Sequence, residues 1–136
     1  MRVLLDTHIF LWWNSDPAMI PRPLREAIAQ PSNEIFVSAA SVWEIGIKRA
    51  LGKLGFAQRI VQSVLAHRFQ LLPINGEHAE HAAELPPHHA DPFDRLLVAQ
   101  ASLERLLFGT QDIRIRAYGL PILGLAKRYT AALYSG

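Results

Sequence analysis

Several short runs in this chain are apolar almost without interruption: Val3-Leu4-Leu5, Ile35-Phe36-Val37, most of 69–74 and Leu106-Leu107-Phe108. A strand with one wet face alternates apolar and polar residues, so runs of this kind predict strands covered on both faces. Between them lie helical patterns over 21–29, 39–51, 56–67 and 77–84, and another from 91 onward. Buried strands alternating with helices predict an α/β architecture with a central, mostly parallel sheet of four or five strands. Leu120-Pro121-Ile122-Leu123 is the fifth strand, at an edge because Pro121 has no N–H for a ladder. The tail over 125–134 reads as a further helix. There is no internal repeat, low-complexity tract or linker, so residues 1–136 read as one domain.

The richest segment is Asp91-Pro92-Phe93-Asp94-Arg95-Leu96-Leu97-Val98-Ala99-Gln100-Ala101. Asp91 suits an N-cap, and Pro92 suits the first helical position, where its missing N–H costs nothing. At about 100° per residue, Asp94 shares a face with Leu97, Val98 and Ala101, while Leu96, Ala99, Leu103 and Leu107 cover another. A helix apolar on so much of its circumference is buried. Two readings of Asp94 stand side by side. It completes a capping box with Asp91, for which Asp is short, or it is a carboxylate held at the mouth of a site by a helix N-terminus.

Three other acids occupy comparable places. Asp6 follows the first strand directly. Glu44 lies in the second turn of the helix that Ser38 opens, at the edge of an inward stripe through Ala40, Trp43, Ile47, Ala50 and Leu51. Lys48, one turn on, offers it an ordinary surface pair as an alternative. Asp112 comes just after the fourth strand. Ligands of parallel sheets sit outside the carboxyl ends of the strands, so all four acids are expected at one edge. Close carboxylates repel unless a cation compensates them. With oxygen donors and no cysteine in the chain, the expected ion is hard, Mg²⁺ or Mn²⁺ before Zn²⁺. Such ions neutralise charge on a phosphodiester and activate water, so the expected chemistry is metal-assisted phosphate-ester hydrolysis.

Composition adds limits. At 136 residues the chain buries roughly two-thirds of its unfolded surface in one core. The net charge of +2 is weak grounds for a nucleic-acid partner. The absence of cysteine excludes a disulfide framework and a thiolate metal site. The first residues reach a charge too soon for a secretory leader, and nothing approaches the ~20 apolar residues of a membrane span. A soluble, cytoplasmic chain is expected.

Leu5-Asp6-Thr7-His8, Ser41-Val42-Trp43-Glu44-Ile45, the Asp91–Ala101 segment, Thr110-Gln111-Asp112 and Tyr118-Gly119-Leu120-Pro121-Ile122-Leu123 together resemble the PIN-domain ribonucleases, and among them the VapC-type toxins of toxin–antitoxin pairs. The motifs span nearly the whole chain, in family order and at family-like spacing. The resemblance implies a PIN-like three-layer α/β/α fold. It implies Asp6, Glu44, Asp94 and Asp112 as an acidic quartet binding Mg²⁺ or Mn²⁺, and endonucleolytic cleavage of RNA by metal-activated water. It also implies a small cognate antitoxin that blocks the site, and a homodimer. Phe108-Gly109 departs from the pattern, which more often has aliphatic residues there, and this bears on the placing of Thr110 and Asp112.

Other residues are read more plainly. Thr7 is either a metal or phosphate support or a helix cap, and Asp91 a cap rather than a ligand. The six histidines lack a closing zinc pattern and are expected at the surface or in loops. Trp12, Trp13 and Trp43 are expected in the core, with an interface role for the Trp12-Trp13 pair as the alternative. Lys48, Arg95, Arg114 and Arg116 flank the expected site and are available to RNA phosphates. Two other functions fit the same acids: a non-catalytic PIN-like binding module, and a metal-dependent phosphatase. The second lacks the Asp-x-Asp of haloacid-dehalogenase-like enzymes, since Thr7-His8 follows Asp6.

Overall fold

The computed structural model describes residues 1–125. The expected helix over 125–134 lies, from 126 onward, outside the described residues. Five strands, β1 (Arg2–Leu5), β2 (Glu34–Ser38), β3 (Gln70–Leu72), β4 (Leu107–Gly109) and β5 (Ile122–Leu123), form one sheet in the order β3-β2-β1-β4-β5. Every pairing is parallel. Among the described residues six helices accompany it: α1 (Thr7–Ser15), α2 (Arg22–Ala29), α3 (Ala39–Ala50), α4 (Ile60–Ala66), α5 (Gly76–Glu84) and α6 (Pro92–Glu104). Short 3-10 turns cover Pro17–Met19 and Ile113–Tyr118.

The pleat of the strands divides the core in two. Val3, Leu5, Ile35, Val37 and Leu123 point to one face, where Ile9 and Phe10 of α1, Leu24 and Ile28 of α2, and Ile60 and Val64 of α4 cover them. Leu4, Phe36, Phe108 and Ile122 point to the other, against Leu97, Val98 and Ala101 of α6. Burial on both faces is why these runs show no alternation, and it makes the three layers. β5 is an edge strand, as Pro121 requires.

Gly109 shows how the Phe108-Gly109 departure is absorbed. A Cβ there would stand 3.0 Å from Leu24 Cδ1 and 3.2 Å from Val3 Cγ1, so the bare position admits α2 onto the sheet. Gly124, with φ +119°, lies where a Cβ would meet the Thr110 carbonyl. Both glycines leave the end of β4 free to approach its neighbours, and Asp6 N donates to Gly109 O at 2.8 Å.

Three expectations are corrected. The helix predicted over 56–67 forms only from Ile60 to Ala66, because Gly55 and the residues after it leave the helical path before Arg59 caps it. On α3 the inward stripe is Ala40, Ser41, Glu44 and Ile45, rotated from the predicted one. Trp43 is 63% exposed and Leu51 lies outside, while Glu44 faces in. Leu103, placed on an apolar face of a buried helix, is exposed.

Candidate functional site

Three of the four acids, Asp6, Asp94 and Asp112, are placed by the element that starts or ends beside them, whereas Glu44 lies in the middle of α3. Asp6 leaves β1 and caps α1, its Oδ1 accepting from His8 N at 3.1 Å. Its Oδ2 accepts from the Thr110 hydroxyl at 2.6 Å, and the side chain is almost fully buried. Asp91 caps α6, accepting from Phe93 N at 2.8 Å, as Asp-Pro predicts. A cap of this kind stabilises a helix by about 1 kcal/mol. Asp94, in the first turn of α6, makes no return bond to Asp91 N, so it does not complete a capping box. That N–H goes to His89 Nδ1 at 3.1 Å instead. Asp112 caps the 3-10 turn after β4 and holds Arg114 through two contacts, Nε–Oδ1 at 3.0 Å and Nη2–Oδ2 at 2.8 Å.

Asp94 and Asp112 come together around a residue that the sequence did not single out. His89 Nε2 lies 3.1 Å from Asp94 Oδ2 and 2.9 Å from Asp112 Oδ2. One donor atom from each of the three lies within 4.8 Å of the others. Asp6 opens into the same cleft, of about 560 Å³, with His8, Trp12, Asp91, Gln111 and Arg114. A larger and more apolar hollow of about 780 Å³ lies at the amino ends of β1, β4 and β5, and no acid lines it. Glu44 does not line the cleft. It is buried at the cleft's α3 side, Oε2 on Lys48 Nζ at 2.8 Å, and Oε1 has no hydrogen-bond partner among the described residues.

The electrostatics join all four. Burial, and then the negative charges of Asp6, Asp91, Glu44 and Asp112, push the Asp94 carboxyl up to about 7. Asp112 goes the other way. Its burial acts to raise it, but the Arg114 side chain and backbone and the His89 ring hold it down at about 2. Its hydrogen bond to Glu44 raises the Lys48 ammonium above its ordinary value. His8 is raised by its hydrogen bond to Asp6, against its own desolvation.

The donor set suits a hard divalent cation. It offers carboxylate oxygens, an orphaned buried Glu44 oxygen and an Asp94 that cannot ionise easily without a compensating positive charge. Thr7 is not a cap. It is the first residue of α1, and its hydroxyl bonds Ser41 Oγ at 2.7 Å, tying α1 to α3 beneath the site. Arg95 does not reach the cleft. Its guanidinium donates to the carbonyls of Ala82, Leu85, Pro86 and His89.

The histidines were expected at the surface or in loops; His89 does lie in a loop, but both it and helical His78 are buried. His78 completes a capping box with Asn75 at the start of α5. For His89 the available signal was its position, two residues ahead of the Asp91 cap. Nothing in the local pattern distinguishes it from exposed His88.

The PIN domain family profile matches residues 3–120. The chain belongs to the PIN domain family. It is 29% identical over 127 residues to Ribonuclease VapC22 of Mycobacterium tuberculosis, covering 88% of this chain and 93% of that protein. Among solved structures, it superposes on VapBC2 from Rickettsia felis bound to a promoter DNA fragment with a TM-score of 0.61 and 17% identity, over 93% of this chain and 98% of that one. VapBC-1 from nontypeable Haemophilus influenzae gives 0.59 and 21%, over 88% and 95%. At these identities the structural likeness is one of fold.

Proposed function

We propose that this chain is a metal-dependent endoribonuclease toxin, a single PIN domain over 1–136 that cleaves RNA phosphodiesters. Asp6, Glu44, Asp94 and Asp112 would hold Mg²⁺ or Mn²⁺. In this reading a small cognate antitoxin inhibits it, the working form is a homodimer, and the compartment is the cytoplasm. Membership of the PIN family and likeness to a protein named as a ribonuclease support the nuclease class. Likeness to VapBC toxin–antitoxin structures supports the antitoxin. Among the described residues no helix is long and apolar enough to cross a membrane.

The observation that carries the reading is Asp94, pushed to about 7 by burial and by the acids around it. That concentration of negative charge is unfavourable unless a cation compensates it, and a divalent ion held by these acids would do so. A bound Mg²⁺ or Mn²⁺ would neutralise charge on the scissile phosphodiester and make water a better nucleophile. The chain's own contribution is orientation. Thr110 fixes Asp6, Asp91 and the start of α6 fix Asp94, and the 3-10 turn fixes Asp112. Arg114, 60% exposed on the cleft rim, is available to an RNA phosphate.

The test is cleavage of single-stranded RNA by purified protein with Mg²⁺, with EDTA, and with Asp94→Asn. Cleavage is expected only for the wild type with metal. An Asp94→Asn protein as fast as wild type refutes the assignment. Folded protein that binds Mn²⁺ but turns over no RNA would favour a non-catalytic module, and turnover of phosphomonoesters in its place a phosphatase.

A further inference from the structure

His89 is held on every side. Its backbone N–H donates to the Tyr118 hydroxyl at 3.1 Å, and that hydroxyl donates in turn to Pro86 O at 2.9 Å. Its carbonyl accepts from Arg95 Nη1 at 3.4 Å. The same guanidinium spans the end of α5 and the loop after it, so Arg95 of α6 and Tyr118 together fix the 85–91 segment that carries His89. The ring is 3% exposed.

Its two nitrogens have different partners. Nδ1 faces the Asp91 N–H at 3.1 Å, and an amide can only donate, so the Nδ1 lone pair is committed. The ring hydrogen then sits on Nε2, directed at Asp112 Oδ2 and beside Asp94 Oδ2, which can only accept when ionised. A metal-binding imidazole needs the reverse: a free lone pair on the ligating nitrogen and a hydrogen on the other, donated to an acceptor. Here the other nitrogen meets a donor. With its distances alone His89 resembles a third ligand of an Asp94–Asp112 cation site; its hydrogen-bond directions exclude that role.

We propose that His89 is a positioning residue, which holds the Asp94 and Asp112 carboxylates together through its Nε2 hydrogen and does not ligate the metal. The proposal rests on the metal-site reading above and adds a residue to it. Asp94 lies on α6 and Asp112 follows β4, and no hydrogen bond between the two carboxylates is possible when both are ionised. His89 supplies the shared donor that sets their spacing. Holding that spacing between the start of α6 and the turn after β4 explains why a loop side chain is wired at its N–H, its carbonyl and both ring nitrogens.

The test uses the full chain labelled with nitrogen-15. Without metal, a long-range proton–nitrogen correlation spectrum is expected to show hydrogen on Nε2 of His89 and none on Nδ1, and saturating Mg²⁺ leaves that pattern unchanged. Hydrogen on Nδ1, or loss of the Nε2 hydrogen as Mg²⁺ binds, overturns the proposal. His89→Gln restores an N–H donor near the Nε2 position without an imidazole lone pair. By calorimetry, His89→Leu is expected to weaken Mn²⁺ binding about tenfold to a hundredfold, and His89→Gln to recover most of that loss. Equal losses in two variants that both fold, by circular dichroism, overturn it as well. The wild-type spectrum needs no variant to fold. Failure of the wild type to bind Mg²⁺ or Mn²⁺ in calorimetry refutes the metal reading, whereas the metal-free spectrum judges His89 by itself.

Discussion

Thr110 donates its hydroxyl hydrogen to Asp6 Oδ2 at 2.6 Å across the gap between the ends of β4 and β1. The Thr110 hydroxyl oxygen in turn accepts from Asp112 N at 3.0 Å, so one side chain sets two of the four acids. The residue is fully buried, and its partner is charged, which makes the bond one of the stronger kind. Thr110→Val keeps the shape and leaves Asp6 short of a donor. The expected cost is on the order of 1–3 kcal/mol by denaturant unfolding, with RNA cleavage lost. Thr110→Ser retains the hydroxyl and is expected to keep measurable activity.

Asp94 sets the pH dependence of the metal-free protein. Its folded value, about 7, stands above the ordinary 3.8, so the folded state binds more protons than the unfolded one between those values. Its contribution to stability is therefore present below about pH 4 and is lost as pH rises through about 7. Asp112, held at about 2, acts oppositely: its contribution is present above about pH 4 and is lost as pH falls through 2. Thermal melts in EDTA are expected to show Asp94→Asn more stable than wild type at pH 8 and flatter between pH 5 and 8. Mg²⁺ should raise the wild-type Tm more than that of Asp94→Asn.

Lys48 balances a carboxylate that is only 4% exposed. Lys48→Met leaves Glu44 charged, buried and without its hydrogen bond. Because Lys48 itself is 40% exposed, water recovers part of the loss, and a destabilisation of about 1–2 kcal/mol is expected. Divalent ion should restore some of it, and Glu44→Gln in the same background should relieve it without metal. Unfolding curves of the single and double variants, with and without Mg²⁺, measure both.

Arg95 and Arg114 separate framework from substrate contact. Arg95 spends its donors on backbone carbonyls, including that of His89, whereas Arg114 stands at the cleft rim. In an inactive Asp94→Asn background, Arg114→Gln is expected to reduce the salt slope of single-stranded RNA binding by about 0.7. Arg95→Lys should lower the Tm, since one ammonium cannot bridge those carbonyls, and leave the slope unchanged. Fluorescence anisotropy across a salt series reads both.

Much of the frame is legible locally. Uninterrupted apolar runs announce strands with two dry faces, Asp91-Pro92 announces the start of α6, and Pro121 an edge strand. The acids at the carboxyl ends of those strands follow from the same pattern, because period and capping are properties of neighbouring residues. The sequence by itself determined the α/β class, the positions of Asp6, Asp94 and Asp112 at element boundaries, and the family resemblance. Only the tertiary structure decided that Glu44 faces in while Trp43 faces out, that Arg95 is framework, and that His89 is buried between two carboxylates. Those outcomes depend on partners outside the local pattern: the acids of other elements for Glu44, the α5 carbonyls for Arg95, Tyr118 and Asp112 for His89. A loop side chain has no period to betray its burial; its place is set by contacts that exist only once the chain has closed on itself.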